Sequence, residues 1–111
     1  VENHSIGFIR AWHGHLLEGK AMIALAGSFV IGVVKMSTAD NPDKNSIPER
    51  YVVSADNPSV LIIPPGYANG TMSLTASAKL LIFSDSTVEE SKSDDYRYPH
   101  DFWDIWKVDY R

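Results

Sequence analysis

The chain has 111 residues, 44% hydrophobic and 22% charged, with a net charge of −4 and no cysteine. That is enough for a single domain with a real apolar core, and it excludes disulfides and thiolate metal sites. An acidic balance with no basic cluster argues against nucleic acid or an anionic membrane as partner, and no apolar run nears the roughly 18 residues of a membrane helix.

Val, Ile, Phe and Leu come in short runs broken by Gly, Pro, Asn and Asp, which is the pattern of an all-β protein. The chain lacks an initiator Met and begins almost on a strand, so an N-terminal segment is expected to be missing or processed. The first strand is expected over Ile6–Trp12. Ala21–Ala26 and Ser28–Lys35 follow, joined by a tight turn or bulge at Gly27. Residues 37–50 (STADNPDKNSIPER) are nearly devoid of apolar side chains and read as an exposed hairpin excursion. Further strands are expected at Tyr51–Ser54, Val60–Ile63, Gly70–Thr75 and Lys79–Ser84. Between the last two pairs of runs, Pro64-Pro65-Gly66 is a turn. In Ser86–Asp95, Glu stands three residues after Ser86 and after Thr87, the signature of a short capped helical turn. The tail then crowds Tyr96, Tyr98, Phe102, Trp103, Trp106 and Tyr110, aromatics suited to covering the open edge or mouth of a sheet. Seven or eight short strands imply a double-sheet jelly roll or a small barrel, whose function lies inside its mouth.

Chemistry concentrates between Gly7 and Gly27 (GFIRAWHGHLLEGKAMIALAG), where Arg10, His13, His15 and Lys20 fall within eleven residues. Side chains alternate along a strand, so His13 and His15 share a face. Two imidazoles placed so serve as metal ligands, as an acid/base pair, or as packing groups. Arg10 stands three residues from His13, so a flat strand would put them on opposite faces. Both reach one pocket only if the strand bulges near Ala11–Trp12. The stretch Val60–Gly70 (VLIIPPGYANG) is the expected partner, bringing Tyr67 and Asn69.

These motifs resemble the cupin superfamily. Gly7, His13, His15 and Gly27 match the spacing of its first motif, with Lys20 where that motif has Glu. Pro64 and Gly66 match the second motif, with Asn69 where it has His. An ammonium at a ligand position opposes a divalent ion and offers no lone pair while protonated, so the expected site holds no metal and no other cofactor. The nearer resemblance is to the dTDP-4-dehydrorhamnose 3,5-epimerases and the dTDP-sugar 3,4-ketoisomerases. The epimerases' Arg-Gly-Leu-His followed by Lys reads here as Arg10-Ala11-Trp12-His13 and Lys20. Their Pro-x-Gly-Phe-Ala-His-Gly reads as Pro64-Pro65-Gly66-Tyr67-Ala68-Asn69-Gly70. The His-x-His pair is similar to the ketoisomerase branch.

The resemblance implies a single double-stranded β-helix (cupin-like jelly-roll) domain over residues 1–111, and a homodimer; the absence of cysteine fits a cytoplasmic protein. It implies epimerisation or keto-isomerisation of a nucleotide-linked 4-keto-6-deoxyhexose, the nucleotide being dTDP. His13 would be the base, Lys20 the cation beside the enolate oxygen, and His15 a second acid/base group. Asp101 or Asp104 would orient His13. Arg10, Tyr67 and Asn69 would bind substrate, Arg10 through the diphosphate. The epimerases' acid Tyr has no counterpart in Ser84-Asp85-Ser86-Thr87, which weighs toward a ketoisomerase-like or single-epimerisation activity. Two other functions stay open on these residues: a catalytically silent sugar-nucleotide or carbohydrate module, and a metal-dependent cupin.

Overall fold

A computed structural model describes residues 2–36 and 42–106. Its elements are β1 (Glu2–Asn3), β2 (Ile9–His15), β3 (Lys20–Ala26), β4 (Ser28–Lys35), β5 (Glu49–Ser54), β6 (Leu61–Ile63), β7 (Tyr67–Ser73), β8 (Ala78–Ser84), α1 (Val88–Ser93) and β9 (Tyr96–Arg97). They form two antiparallel sheets, a four-stranded one in the order β1-β8-β3-β6 and a five-stranded one in the order β5-β4-β7-β2-β9. The expected all-β, double-sheet architecture is therefore the observed one.

Alternation along the strands builds the layer between the sheets. Met22 and Ala24 of β3, Phe29, Ile31 and Val33 of β4, Val53, Ile63 and Leu80 interlock there as one buried cluster. Gly27, at φ 68°, makes the turn from β3 to β4; a Cβ there would lie 2.0 Å from the Thr75 hydroxyl oxygen. The capped turn also forms as expected. Thr87 Oγ1 accepts the Glu90 N–H at 3.1 Å, and Glu90 Oε1 accepts the Thr87 N–H at 3.0 Å.

Two strands sit elsewhere than their apolar runs suggest. The first strand runs Ile9–His15 rather than Ile6–Trp12, because Ile6 and Phe8 are exposed and Gly7 turns the chain at φ 78°. It continues through both histidines because β7 pairs with it along one side and β9 along the other. Likewise β7 starts at Tyr67, three residues earlier than expected, since Tyr67 pairs with His15 and with Lys35. Pairing partners, which local propensity does not contain, set both ends. Of the polar excursion, residues 37–41 lie outside the described residues, and β5 already begins at Glu49.

Among the described tail residues, Tyr96 and Arg97 cover the open edge of β2 as expected, and the other aromatics pack on the sheet rather than over a mouth. Trp103 and Trp106 are buried with Trp12, Val34, Met36, Ala68 and Met72 on the outer face of the five-stranded sheet; Tyr110 lies outside the described residues. The Trp12 ring meets Trp103 edge-on at 5.3 Å and Trp106 at 5.3 Å. The His100 carbonyl accepts both the Trp12 and the Trp106 indole N–H, at 3.2 and 2.9 Å. Gly70 lets this layer sit so close: a Cβ there would come within 2.5 Å of the Ala11 Cβ. Trp12 has no exposed surface, so Trp12→Ala removes the centre of this layer. It should lower unfolding free energy by about 3–5 kcal/mol, read as a lower urea midpoint at unchanged slope.

Candidate active site

β2 puts Arg10, His13 and His15 on one face through an irregularity. Arg10 lies opposite Thr71, and His13 opposite Asn69, so three steps along β2 face two along β7. The extra residue returns Arg10 and His13 to the same face. His15, opposite Tyr67, keeps that face as well. From the other sheet β3 contributes Lys20, and from the far side β9 places Arg97 directly opposite His13. A cavity of about 270 Å³ results, lined by His13, His15, Glu18, Lys20, Asp95 and Arg97, with α1 along its rim.

Inside it the ionisable groups are bound to one another. The Nδ1 of buried His15 lies 2.6 Å from the Asp94 carbonyl oxygen and so donates to it, which directs Nε2 toward the Glu18 carboxylate at 3.5 Å. Glu18, 4% exposed, also takes Lys20 Nζ at 3.7 Å and a hydrogen bond from the Ser91 hydroxyl of α1. The Asp94 carboxylate accepts the backbone N–H groups of Leu16, Leu17 and Glu18 at 2.8, 2.9 and 3.0 Å. Burial opposes its ionisation, yet these three donors and His15 outweigh burial and hold the carboxyl below its usual range. Arg97 donates through Nε to Asp95 at 3.1 Å.

Burial, then the charges of Lys20 and Arg97, push the His13 imidazole below its ordinary value against the opposing pull of Asp95. His13 is consequently a neutral imidazole at pH 7. Burial likewise lowers the Lys20 ammonium, with Glu18 and Asp95 pulling it back up.

The remaining expected residues lie around this cavity rather than in it. Arg10 donates through Nε to Asn3 Oδ1 at 3.0 Å, stacks at 4.9 Å over the Phe8 ring, and lines a separate hollow of about 170 Å³. Tyr67 is half-buried and faces a neighbouring cavity of about 380 Å³ with Lys35, Glu49 and Tyr51. Asn69 is buried, and its amide donates to the His13 carbonyl at 3.3 Å, so it steadies β2. Asp101 and Asp104 are exposed on the tail and do not line the His13 cavity. The tryptophan anchors hold that tail on the outer face of the sheet, whereas His13 points between the sheets. The carboxylates beside the imidazoles are instead Glu18 and Asp95. Sequence reading passed over both, although Glu18 lies in the turn between the two motif strands, two residues from Lys20. Among the described residues, no group of three or more His, Asp or Glu is placed to hold a metal ion, and no helix is long and apolar enough to cross a membrane.

No protein-family model matches the chain, and no curated protein matches it by sequence. Solved structures do match. A dTDP-4-dehydrorhamnose 3,5-epimerase from Bacillus anthracis, solved with TDP and pyrophosphate bound, superposes with a TM-score of 0.78 over 99% of this chain and 64% of its own, at 20% identity. The chain has the cupin-like fold of that enzyme. ChmJ, a 3'-monoepimerase from Streptomyces bikiniensis in complex with dTDP-quinovose, matches at 0.74 over 100% and 57%, at 19% identity. A 3,4-ketoisomerase from Helicobacter canadensis matches at 0.69 over 96% and 71%, at 17% identity. The capsular-polysaccharide assembling protein CapF from Staphylococcus aureus matches at 0.66 and 22% identity over 83% of this chain, which spans about a quarter (23%) of it. At these identities the likeness is one of fold.

The charge arrangement around His13 has a direct readout. With its pKa lowered from the ordinary 6.5, His13 is mostly neutral at that pH, and its NMR titration midpoint in the folded protein should lie under it. Lys20→Met, removing the largest charge acting on it, should move the midpoint upward. The sign for stability follows: the unfolded chain, with an ordinary imidazole, binds more protons below about pH 6.5. Stability is therefore whole above that pH and falls as the pH drops toward the folded value.

Proposed function

We propose that this chain is a metal-independent isomerase that moves a proton beside the keto group of a nucleotide-linked 4-keto-6-deoxyhexose, the nucleotide being dTDP. The observation that carries the reading is a neutral, half-buried imidazole, His13, sharing a cavity with Lys20 and a second imidazole, His15. A ketone at C4 acidifies the hydrogens on the adjacent carbons. His13 takes one of them, the C–H electron pair becomes an enolate, and the negative charge collects on O4. Lys20, largely buried, places a cation beside that oxygen. A proton returned to the same carbon from the opposite face gives an epimer. Returned to C4, with the proton of O3 passing to O4, it gives a 3-ketone bearing a C4 hydroxyl.

Among the described residues no tyrosine lines the cavity beside His13, and His15 stands two residues along the same face. Both favour proton return by His15, hence a ketoisomerase or a single epimerisation over a double one. The alternative of a silent sugar-nucleotide binder is favoured by one observation, that Asp101 and Asp104 stay away from His13. The two separate in heavy water: with a dTDP-4-keto-6-deoxyglucose panel, the isomerase takes solvent deuterium into the sugar ring, and His13→Ala loses at least about 10²-fold of that rate. Binding without any exchange would establish the silent module instead.

A homodimer belongs to the same proposal. Ile62, Leu81 and Phe83 project from the outer face of the four-stranded sheet and are exposed, a surface suited to an isologous contact. Sedimentation should give twice the monomer mass, and Phe83→Glu should return it to monomer.

A further inference from the structure

We infer that Glu18 is the positioning residue of this site, a buried carboxylate that ties Lys20, His15 and the helix α1 into one hydrogen-bonded ionic unit. The inference rests on the isomerase reading for what Lys20 does, and adds what holds Lys20 to that task.

The geometry is specific. The Glu18 side chain is 3% exposed, in the turn joining β2 to β3. Its Oε2 faces both His15 Nε2, at 3.5 Å, and Lys20 Nζ, at 3.7 Å. Its Oε1 takes the Ser91 hydroxyl, and its backbone N–H is held by Asp94 at 3.0 Å. A carboxylate removed from water persists only where cations and donors satisfy its oxygens, and here each oxygen has a partner. The turn is therefore locked in the position that puts the carboxylate against Lys20.

Lys20 meets charge from every element around it. His13 and His15 face it from β2, and Lys92, Asp95 and Arg97 from the segment running through α1 to β9. Asp85, at the end of β8, accepts the N–H of neighbouring Gly19 at 2.9 Å. Among the described residues only Glu18 places a carboxylate within 4 Å of Lys20 Nζ. Burial lowers the ammonium, and the carboxylate of Glu18 is the largest influence raising it. Without that carboxylate, burial goes on favouring the neutral amine and Asp95 is the remaining group that pulls against it. A neutral amine has no net charge to set against a developing oxyanion. Glu18 touches no reacting atom; it acts through Lys20 and through the ring of His15.

The test reads Lys20 itself. In protein labelled with ¹³C-lysine and free of any ligand, the Lys20 Cε signal is titrated in the parent chain, in Glu18→Gln and in Glu18→Asp. The glutamine keeps the shape and the bond from Ser91 while removing the charge, and should move the Lys20 titration to lower pH. The aspartate keeps the charge one methylene further off, and should move it the same way by less. In the deuterium-exchange assay Glu18→Gln should lose about 10–10²-fold in kcat with KM within about twofold. Its alkaline limb should move to lower pH in step with the NMR curve. A Lys20 titration unmoved in both variants overturns the inference, and the aspartate variant decides it should the glutamine variant fail to fold. Absence of exchange in the parent chain would sink the isomerase reading alone, since the lysine titration uses no substrate.

Discussion

Three backbone N–H groups in consecutive residues, Leu16, Leu17 and Glu18, converge on the carboxylate of Asp94, seventy-odd positions later in the chain. The turn between β2 and β3 has no regular pairing of its own, so its donors need an acceptor from elsewhere. Asp94 supplies it, while its carbonyl takes His15. One residue thereby joins the strand-to-strand turn that carries the site to the segment that covers it. The capping box at Thr87 and Glu90 then delivers α1, and with it Ser91, to the same turn.

From that junction the electrostatics follow. Among the described residues, three cationic side chains, Lys20, Lys92 and Arg97, face two carboxylates, Glu18 and Asp95, around two imidazoles. The carboxylates are each spoken for, Glu18 by Lys20 and Asp95 by Arg97. His13 is left with a surplus of positive neighbours and partial burial, and stays neutral. A neutral imidazole and a cation can coexist at close range on these terms, because the cation is held by a carboxylate that does not reach that imidazole. The aromatic layer on the other side of β2 has a complementary part. Packing Trp12 outward, against Trp103 and Trp106, fixes the strand whose inner face presents the histidines.

The strands were legible where hydrophobic alternation is strong. Ser28–Lys35 and Ala21–Ala26 appear almost as read, and so does the capped turn before α1, because each depends on neighbours in sequence. The His13–His15 pair on one face, and the bulge needed to bring Arg10 to that face, also followed from strand geometry. Arg10 nevertheless turns to Asn3 and Phe8, two residues that the period-two pattern of β2 does not mention. β1 and β9 escaped notice altogether. Two residues are too few to carry a period, and both exist only because an edge was there to pair with.

By itself the sequence determined the class of fold, the turn positions and the inventory of imidazoles and cations near Gly7–Gly27, since periodicity, glycine and proline act over a few residues. Which carboxylates serve that inventory was decided by tertiary structure alone. Asp101 and Asp104 are nearer than Asp95 to the tryptophan anchors, and those anchors carry them to the outer face of the sheet. Asp95 and Glu18 reach the imidazoles because β9 adds to the edge of β2 and Asp94 draws the turn beneath it. Charge acts through space, and the chain separation between Glu18 and Ser91, or His13 and Arg97, holds no trace of the few ångströms between them in the folded protein.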